Sequence, residues 1–261
     1  MPATYAHYRF GRQALAALSV QVQAAVNAHP RLYDAGLHGP DPLFYHSMFR
    51  RDRLGVLASR YHHIPGRELF EDLCARLRET PREADTAFLF GLLTHYCLDS
   101  VCHPFIVKLD AAKTCSHSEL ETEFDRFLLC LDAEPLPHTR DLGEHLRLGP
   151  EELEVMARFF PPATAAQLKR CIRNMTWATR ILSGRGMLPR GILERVIPVA
   201  GETVRQQLMP RQPDPRVSRF DEPLLGLYTQ ALNRFPGLAA QLESCLLHGT
   251  PLNADFDPIM G

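Results

Sequence analysis

Thr86-Ala-Phe-Leu-Phe-Gly-Leu-Leu-Thr-His95-Tyr-Cys-Leu-Asp99-Ser-Val-Cys-His103 is the stretch that decides the fold. It is apolar almost all round, the mark of a helix buried on most of its faces, and the helical pattern spans residues 82–102. His95, Asp99 and His103 are set into it four residues apart, so one helical face carries all three. An apolar helix has little reason to line up two imidazoles and a carboxylate inward. Buried polar groups need partners, and metal coordination supplies them. Chance is a poor competitor: with 12 His and 14 Asp in 261 residues, about 0.03 copies of this spacing arise at random.

Helical periodicity continues outward from that stretch. Apolar positions at helical spacing predict helices over 14–28, 67–78, 118–131, 151–160, 163–182, 189–208, 222–235 and 237–246. No segment alternates with a period of two between turn signals, so no strand is predicted. Segments 132–150 and 209–221 read as linkers, too short to separate domains. The expectation is one all-α domain over 1–261, a compact multihelical bundle with a metal-binding cleft. Its motifs fall in 1–135, and 136–261 serves as helical support.

Composition narrows the function. Lys and Arg total 29 against 30 Asp and Glu, a formal charge of -1. That balance argues against a protein that tracks nucleic acid by its backbone, and against a strongly cationic membrane-surface protein. His is the residue in excess, and nine of the 12 precede residue 118. The seven Cys are odd in number and form no Cys-x2-Cys pair, which predicts buried thiols in a reducing compartment. The opening Met-Pro-Ala-Thr-Tyr-Ala-His lacks a signal-peptide pattern, and the longest apolar run, 86–98, is too short to span a bilayer. A cytoplasmic location is expected.

Four further pieces join the central motif. His117 and Glu121 repeat the one-turn spacing of imidazole and carboxylate. That pair alone is weak, with roughly half a match arising by chance, but it follows fourteen residues after His103. His7 lies in the aromatic segment Tyr5-Ala-His-Tyr-Arg-Phe-Gly11, and Asp41 in Gly36-Leu-His-Gly-Pro-Asp41-Pro42, where Gly and Pro fix the backbone. His62 and His63 precede a helix boundary. Imidazole and carboxylate donors without matching Cys suit Zn²⁺. Trp177, the sole Trp, is expected in the core. Phe44, Tyr45 and Phe49 either pack in the core or line an entrance. Glu119 and Glu123 are expected in solvent, and Asp125 beside a ligating imidazole.

This ordered set resembles the bacterial zinc-dependent phospholipase C family, and most closely its cytosolic members. The segments that carry the resemblance are Tyr5–Gly11, His38–Asp41, the His95–His103 motif with Pro104 and Phe105, and His117–Glu121. The family shares a superfamily with zinc-dependent single-strand nucleases. It implies a helical bundle with two or three zinc ions in a cleft. Transferred by motif, His62 (or His63), His95 and Asp99 would hold one ion, and His103, His117 and Glu121 a second. His7 and Asp99 would hold a third, with Asp99 bridging. The family's processed N-terminal residue also serves that third ion, whereas here Met1-Pro2 precedes His7 by several residues. Asp41 matches a carboxylate that is either a zinc ligand or the general base.

The implied function is metal-dependent hydrolysis of a phosphodiester, either a phospholipid head group or a soluble phosphoester. A single-strand nuclease or phosphatase of the same superfamily is an alternative. So is a noncatalytic helical binding module stabilised by metal, because fold alone never establishes activity.

Overall fold

The computed structural model describes residues 4–47, 50, 52–183, 190–196 and 201–261, and Met1, Pro2 and Phe49 fall outside them. Every regular element in the described residues is helical. The helices are α1 Thr4–Ala14, α2 Val20–Ala28, α3 Pro30–Gly36, α4 Arg53–His63, α5 Gly66–Glu79, α6 Glu83–Ala111, α7 His117–Leu131, α8 Pro150–Ala157, α9 Ala165–Leu182, α10 Arg190–Val196, α11 Glu202–Arg205, α12 Pro215–Ser218 and α13 Asp221–His248.

Helix α6 is the axis. Every residue from Ala87 to Ser100 is buried, as its all-round apolar sequence requires. Helices α1, α2, α3 and α13 pack around it, and one contiguous apolar core runs from Ala6 to Met260. The tightest approach joins α3 to α6 through a glycine pair. A Cβ on Gly91 would stand 2.4 Å from the Tyr33 carbonyl oxygen, and one on Gly36 2.5 Å from that of Phe88. Two helices carrying larger residues there could not reach this separation.

Several boundaries differ from the sequence reading. Helix α6 continues past residue 102 through Pro104 to Ala111, and Pro236 lies inside α13, which merges the two helices expected at 222–235 and 237–246. In both cases packing on neighbours outweighs one lost backbone hydrogen bond per proline. The helix expected at 14–28 divides because Ser19 caps α2, its Oγ accepting from the Val22 N–H; a Ser side chain competes well for a helix start. The stretch 189–208 holds the short helices α10 and α11, and residues 197–200 between them lie outside the described set. Helices α1, α3 and α4 escaped the periodicity reading because their sequences are short or polar.

Three side chains correct their expected settings. Trp177 is 54% exposed on α9 and is not a core residue. Glu123 is buried, with Oε1 accepting from Arg126 Nε at 2.9 Å, and is not solvated. Cys130 is exposed, whereas the other six thiols are buried, and all seven are free. No described helix is long and apolar enough to cross a membrane.

The glycine contact gives a direct test of the packing. Gly91→Ala should cost about 1–3 kcal/mol through overpacking, although Ala is the better helix former. Gly226→Ala, on the exposed side of α13 with nothing within 4 Å of a new Cβ, should instead stabilise by about 0.5–1 kcal/mol. Urea unfolding midpoints of the two variants should move in opposite directions, and a shift of Gly91→Ala to higher urea would refute the close α3–α6 approach.

Candidate metal centre

Five imidazoles and three carboxylates converge where α6 meets α1, α4, α7 and the turn after α3. Helix α6 supplies His95, Asp99 and His103 from one face, and α7 adds His117 and Glu121 from its first turns. Asp99 is central. Its Oδ1 lies 3.2 Å from His7 Nε2 and 3.6 Å from His103 Nε2, and its Oδ2 lies 3.1 Å from His95 Nε2. Glu121 Oε1 lies 3.1 Å from His117 Nε2 and 3.5 Å from His103 Nε2. Asp41 Oδ1 lies 3.0 Å from His62 Nε2.

Local sequence explains how each group arrives. Ser116 caps α7 in a box with Glu119, the Ser Oγ accepting from the Glu119 N–H, so His117 falls on the first helical position. At the other end of the site, the buried Asp125 carboxylate accepts from the Tyr5 and Ala6 N–H groups at 3.1 and 2.8 Å. It satisfies the open start of α1 and so fixes His7 one residue on. Asp125 therefore binds backbone rather than the imidazole expected from sequence. His62 Nδ1 donates to the Ala58 carbonyl at 2.8 Å, which points Nε2 inward. His63 is exposed, and its Nδ1 donates to Ser59. Of the two, His62 is the one that faces the site.

Gly39 is required by shape and by conformation. Its φ is +48°, and a Cβ would stand 2.4 Å from His95 Cδ2. The turn Gly39-Pro40 thereby lies against the imidazole and delivers Asp41 to it. Gly261 plays a similar part: its N–H donates to the His62 carbonyl at 3.1 Å, and a Cβ there would stand 2.2 Å from His103 Nδ1.

The charges are set by competition between burial and pairing. Burial alone would raise Asp99, but His103, His95 and His7 hold it well below the usual carboxylate range. Burial likewise opposes ionisation of Glu121, and His117 and His103 overcome it. Asp41 is lowered by His95 and His62 against the same burial. His103 is desolvated, which works against its charge, yet Asp99 and Glu121 raise it to about 9. His7 and His62 are raised by their carboxylate partners in the same way.

Ligating atoms lie within 4.8 Å of one another in three groups: His7, His95 and Asp99; Asp41, His62 and His95; His103, His117 and Glu121. The last matches the set implied by resemblance. The resemblance implies Asp99 with His62 and His95; in the structure Asp41 groups with those two imidazoles, while Asp99 groups with His95 and His7. The donors suit a cation. His95 is fully buried, and neither of its ring nitrogens has a hydrogen-bond partner, although Nε2 stands beside two carboxylates. A buried nitrogen so placed has its lone pair available to a metal, and an N/O set without thiolate fits Zn²⁺. His117 is one-third exposed, so the site reaches solvent on that side.

Two neighbouring spaces complete the cleft. His7, Asp99, His103 and Glu121 line a shallow crevice. A groove runs from Thr4, Tyr45 and Asp125 toward Arg140, Leu182 and Met209. Phe44 stands at the entrance rather than in the core, 38% exposed with its ring 5.6 Å from that of His62. His38, which no spacing singled out, is buried beside the site and lies 2.7 Å from His145, Nε2 to Nε2. Burial drives both of these imidazoles toward the neutral form.

Comparison with known proteins adds one match. The sequence model of the family described as zinc dependent phospholipase C covers residues 6–172, from just before His7 into α9 and well past the last candidate ligand. No curated protein and no solved structure matches the chain.

The titration pattern predicts how the metal-free chain behaves. The raised His103 stabilises the fold fully below about 6.5, and that contribution fades as pH rises through about 9. The lowered carboxylates stabilise above their ordinary range and lose that contribution as pH falls. Metal-free protein should therefore be most stable in mildly acidic solution. Zinc added near neutral pH should displace imidazole protons. Calorimetry in buffers of different ionisation enthalpy should show this release, and less of it for His103→Gln. A binding heat independent of buffer would contradict the assignment.

Proposed function

The chain belongs to the zinc-dependent phospholipase C family, and on that premise we propose that it hydrolyses phosphodiesters, taking a phospholipid head group or a small soluble diester as substrate. The observation that carries this reading is the convergence of five imidazoles and three carboxylates from five separate segments on one partly open cleft. In this reading His7, His62, His95, Asp99, His103, His117 and Glu121 hold two or three zinc ions, with Asp99 shared between neighbouring ions. Zinc bound there would polarise a phosphoryl oxygen and supply a nucleophile from water at neutral pH.

The protein's own residues then have distinct tasks. Asp99 offers both oxygens, each beside a different imidazole, which is the arrangement a shared ligand requires. Asp41 is ionised and held by His62 at 3.0 Å, so it can accept the proton of an attacking water while remaining close enough to coordinate. His62 donates to Ala58 and is thereby fixed in orientation. Phe44 follows Asp41 on the same turn, and its ring lies 5.6 Å from that of His62, the imidazole paired with Asp41. The near-neutral chain lacks the broad basic footprint of a nucleic-acid enzyme, which favours the lipid or small diester over a nuclease substrate. The exposed edge at His117 favours an enzyme over a closed structural site.

Two substitutions test the roles. Asp99→Asn should lower the bound zinc and abolish hydrolysis of a nitrophenyl phosphodiester together, as measured by metal analysis of purified protein. Unchanged zinc content in that variant would remove the shared-ligand role. Asp41→Asn should keep most of its metal and lose roughly 10²–10⁴-fold in turnover if Asp41 acts as base. Metal loss with partial rescue by added zinc would instead make it a ligand. A zinc-loaded wild type that hydrolyses no phosphodiester would leave the binding-module alternative standing.

A further inference from the structure

Helix α9 has no acidic residue in eighteen positions. Leu168, Cys171, Ile172, Met175 and Thr179 face inward. Lys169, Arg170, Arg173, Trp177 and Arg180 face outward, all exposed. Among the described residues, none of the four cationic side chains enters a salt bridge or hydrogen bond. Unpaired cations around an exposed Trp are unusual, because Trp is ordinarily well covered.

The face adjoins the candidate metal centre. Asn174 Nδ2 donates to the Tyr45 carbonyl at 2.9 Å, so α9 clasps the turn that carries Asp41 and Phe44. At 3.6 residues per turn, Arg170 and Trp177 lie roughly 40° and 60° around the helix from Asn174 on the same side. They therefore form the edge of the basic face nearest that turn. Phe44, the residue before Tyr45 on that turn, is itself exposed. The end of α9 also lines the groove through Thr179, Leu182 and Ser183.

We propose that this face of α9, with Phe44, docks the protein on an anionic phospholipid surface. Arg and Lys stems lie along apolar surface with their charges at the phosphates, and a Trp ring suits the boundary between head group and acyl chain. Juxtaposed basic residues add attraction to anionic lipid that falls with salt. The whole-chain charge of -1 conceals the patch, since the compensating acids lie elsewhere, three of them inside the metal centre. A single helix face with four cations does not track an extended nucleic-acid backbone. The proposal goes beyond the catalytic reading and does not depend on turnover.

The experiment exploits Trp177 as the only Trp in the chain. Full-length protein is titrated with vesicles of phosphatidylcholine containing phosphatidylglycerol, and with vesicles of pure phosphatidylcholine. The expected result is a blue shift of emission and co-sedimentation with the anionic vesicles, both reversed by high salt. Arg170→Gln with Arg173→Gln should weaken binding roughly 20- to 30-fold, from about fivefold per cation removed, and Arg170→Lys with Arg173→Lys should restore it. Hydrolysis of a soluble nitrophenyl diester should stay at wild-type level in both. Absence of any shift or sedimentation overturns the docking face, as does binding that the Gln pair leaves intact. A single-stranded oligonucleotide that shifts Trp177 emission and displaces the vesicles also overturns it, in favour of nucleic acid. Wild type that binds vesicles without hydrolysing any diester upholds the docking face and rejects the catalytic reading alone.

Discussion

The centre of this fold is arranged so that Asp99 stays ionised although it is almost wholly withdrawn from solvent. A lone carboxylate there would take up a proton or unfold its surroundings, since burying an unpaired charge costs far more than a domain can spare. Three imidazoles on three sides hold it in the charged form. Two come from its own helix at one-turn spacing. The third, His7, comes from α1, which must be brought in from the far end of the sequence. Asp125 does this by closing the start of α1, so one acid on α7 positions the partner of another acid on α6. Burial raises Asp125 to about 7, and a site proton balance thus extends beyond the residues that face the cleft.

The most constrained part of this arrangement was legible in the sequence and the least constrained was not. Helix α6 announces itself because fourteen consecutive buried residues must be almost uniformly apolar, and polar residues at four-residue spacing stand out against that ground. His117 and Glu121 are legible only in company with it. His62 and His63 could not be told apart while the bounds of α4 were unknown. On that helix Leu54, Ala58 and Tyr61 mark the inward face, and His62, four residues past Ala58, falls beside it, whereas His63 lies about 100° further round. His38 and His145 stayed hidden for another reason. They lie in irregular backbone where no period applies, and they meet across more than a hundred residues.

Trp177 shows the same limit from the opposite direction. Its helix reads as amphipathic, and a large aromatic at helical spacing is expected on the apolar side. The inward face of α9 is instead filled by Leu168, Cys171, Ile172 and Met175, leaving Trp177 one step around among the cations. Proline misleads in a related way. Pro104 and Pro236 each sit in helices long enough, and packed closely enough, that neighbours hold the backbone across the missing N–H. Local rules gave way where tertiary contact was densest.

The C-terminal region is more than a support for the N-terminal motifs. Leu252, Phe256 and Met260 are buried, the Pro258 carbonyl accepts from the Gly66 N–H, and Gly261 rests against His62 and His103. Two imidazoles from different helices therefore take their back wall from residues nearly 160 or more positions away in sequence. Helix α9 frames the same cleft from another side through Asn174 and Tyr45. The chain has gathered acids inward at the centre and left unpaired bases outward beside its mouth, a separation that a net charge of -1 averages away. On the docking proposal, an anionic lipid surface would meet the α9 cations, while the carboxylates of the candidate centre stay buried among imidazoles. The outward bases sit on α9 and the inward acids on α6, α7 and the turn after α3, so the two charge sets are carried by different elements.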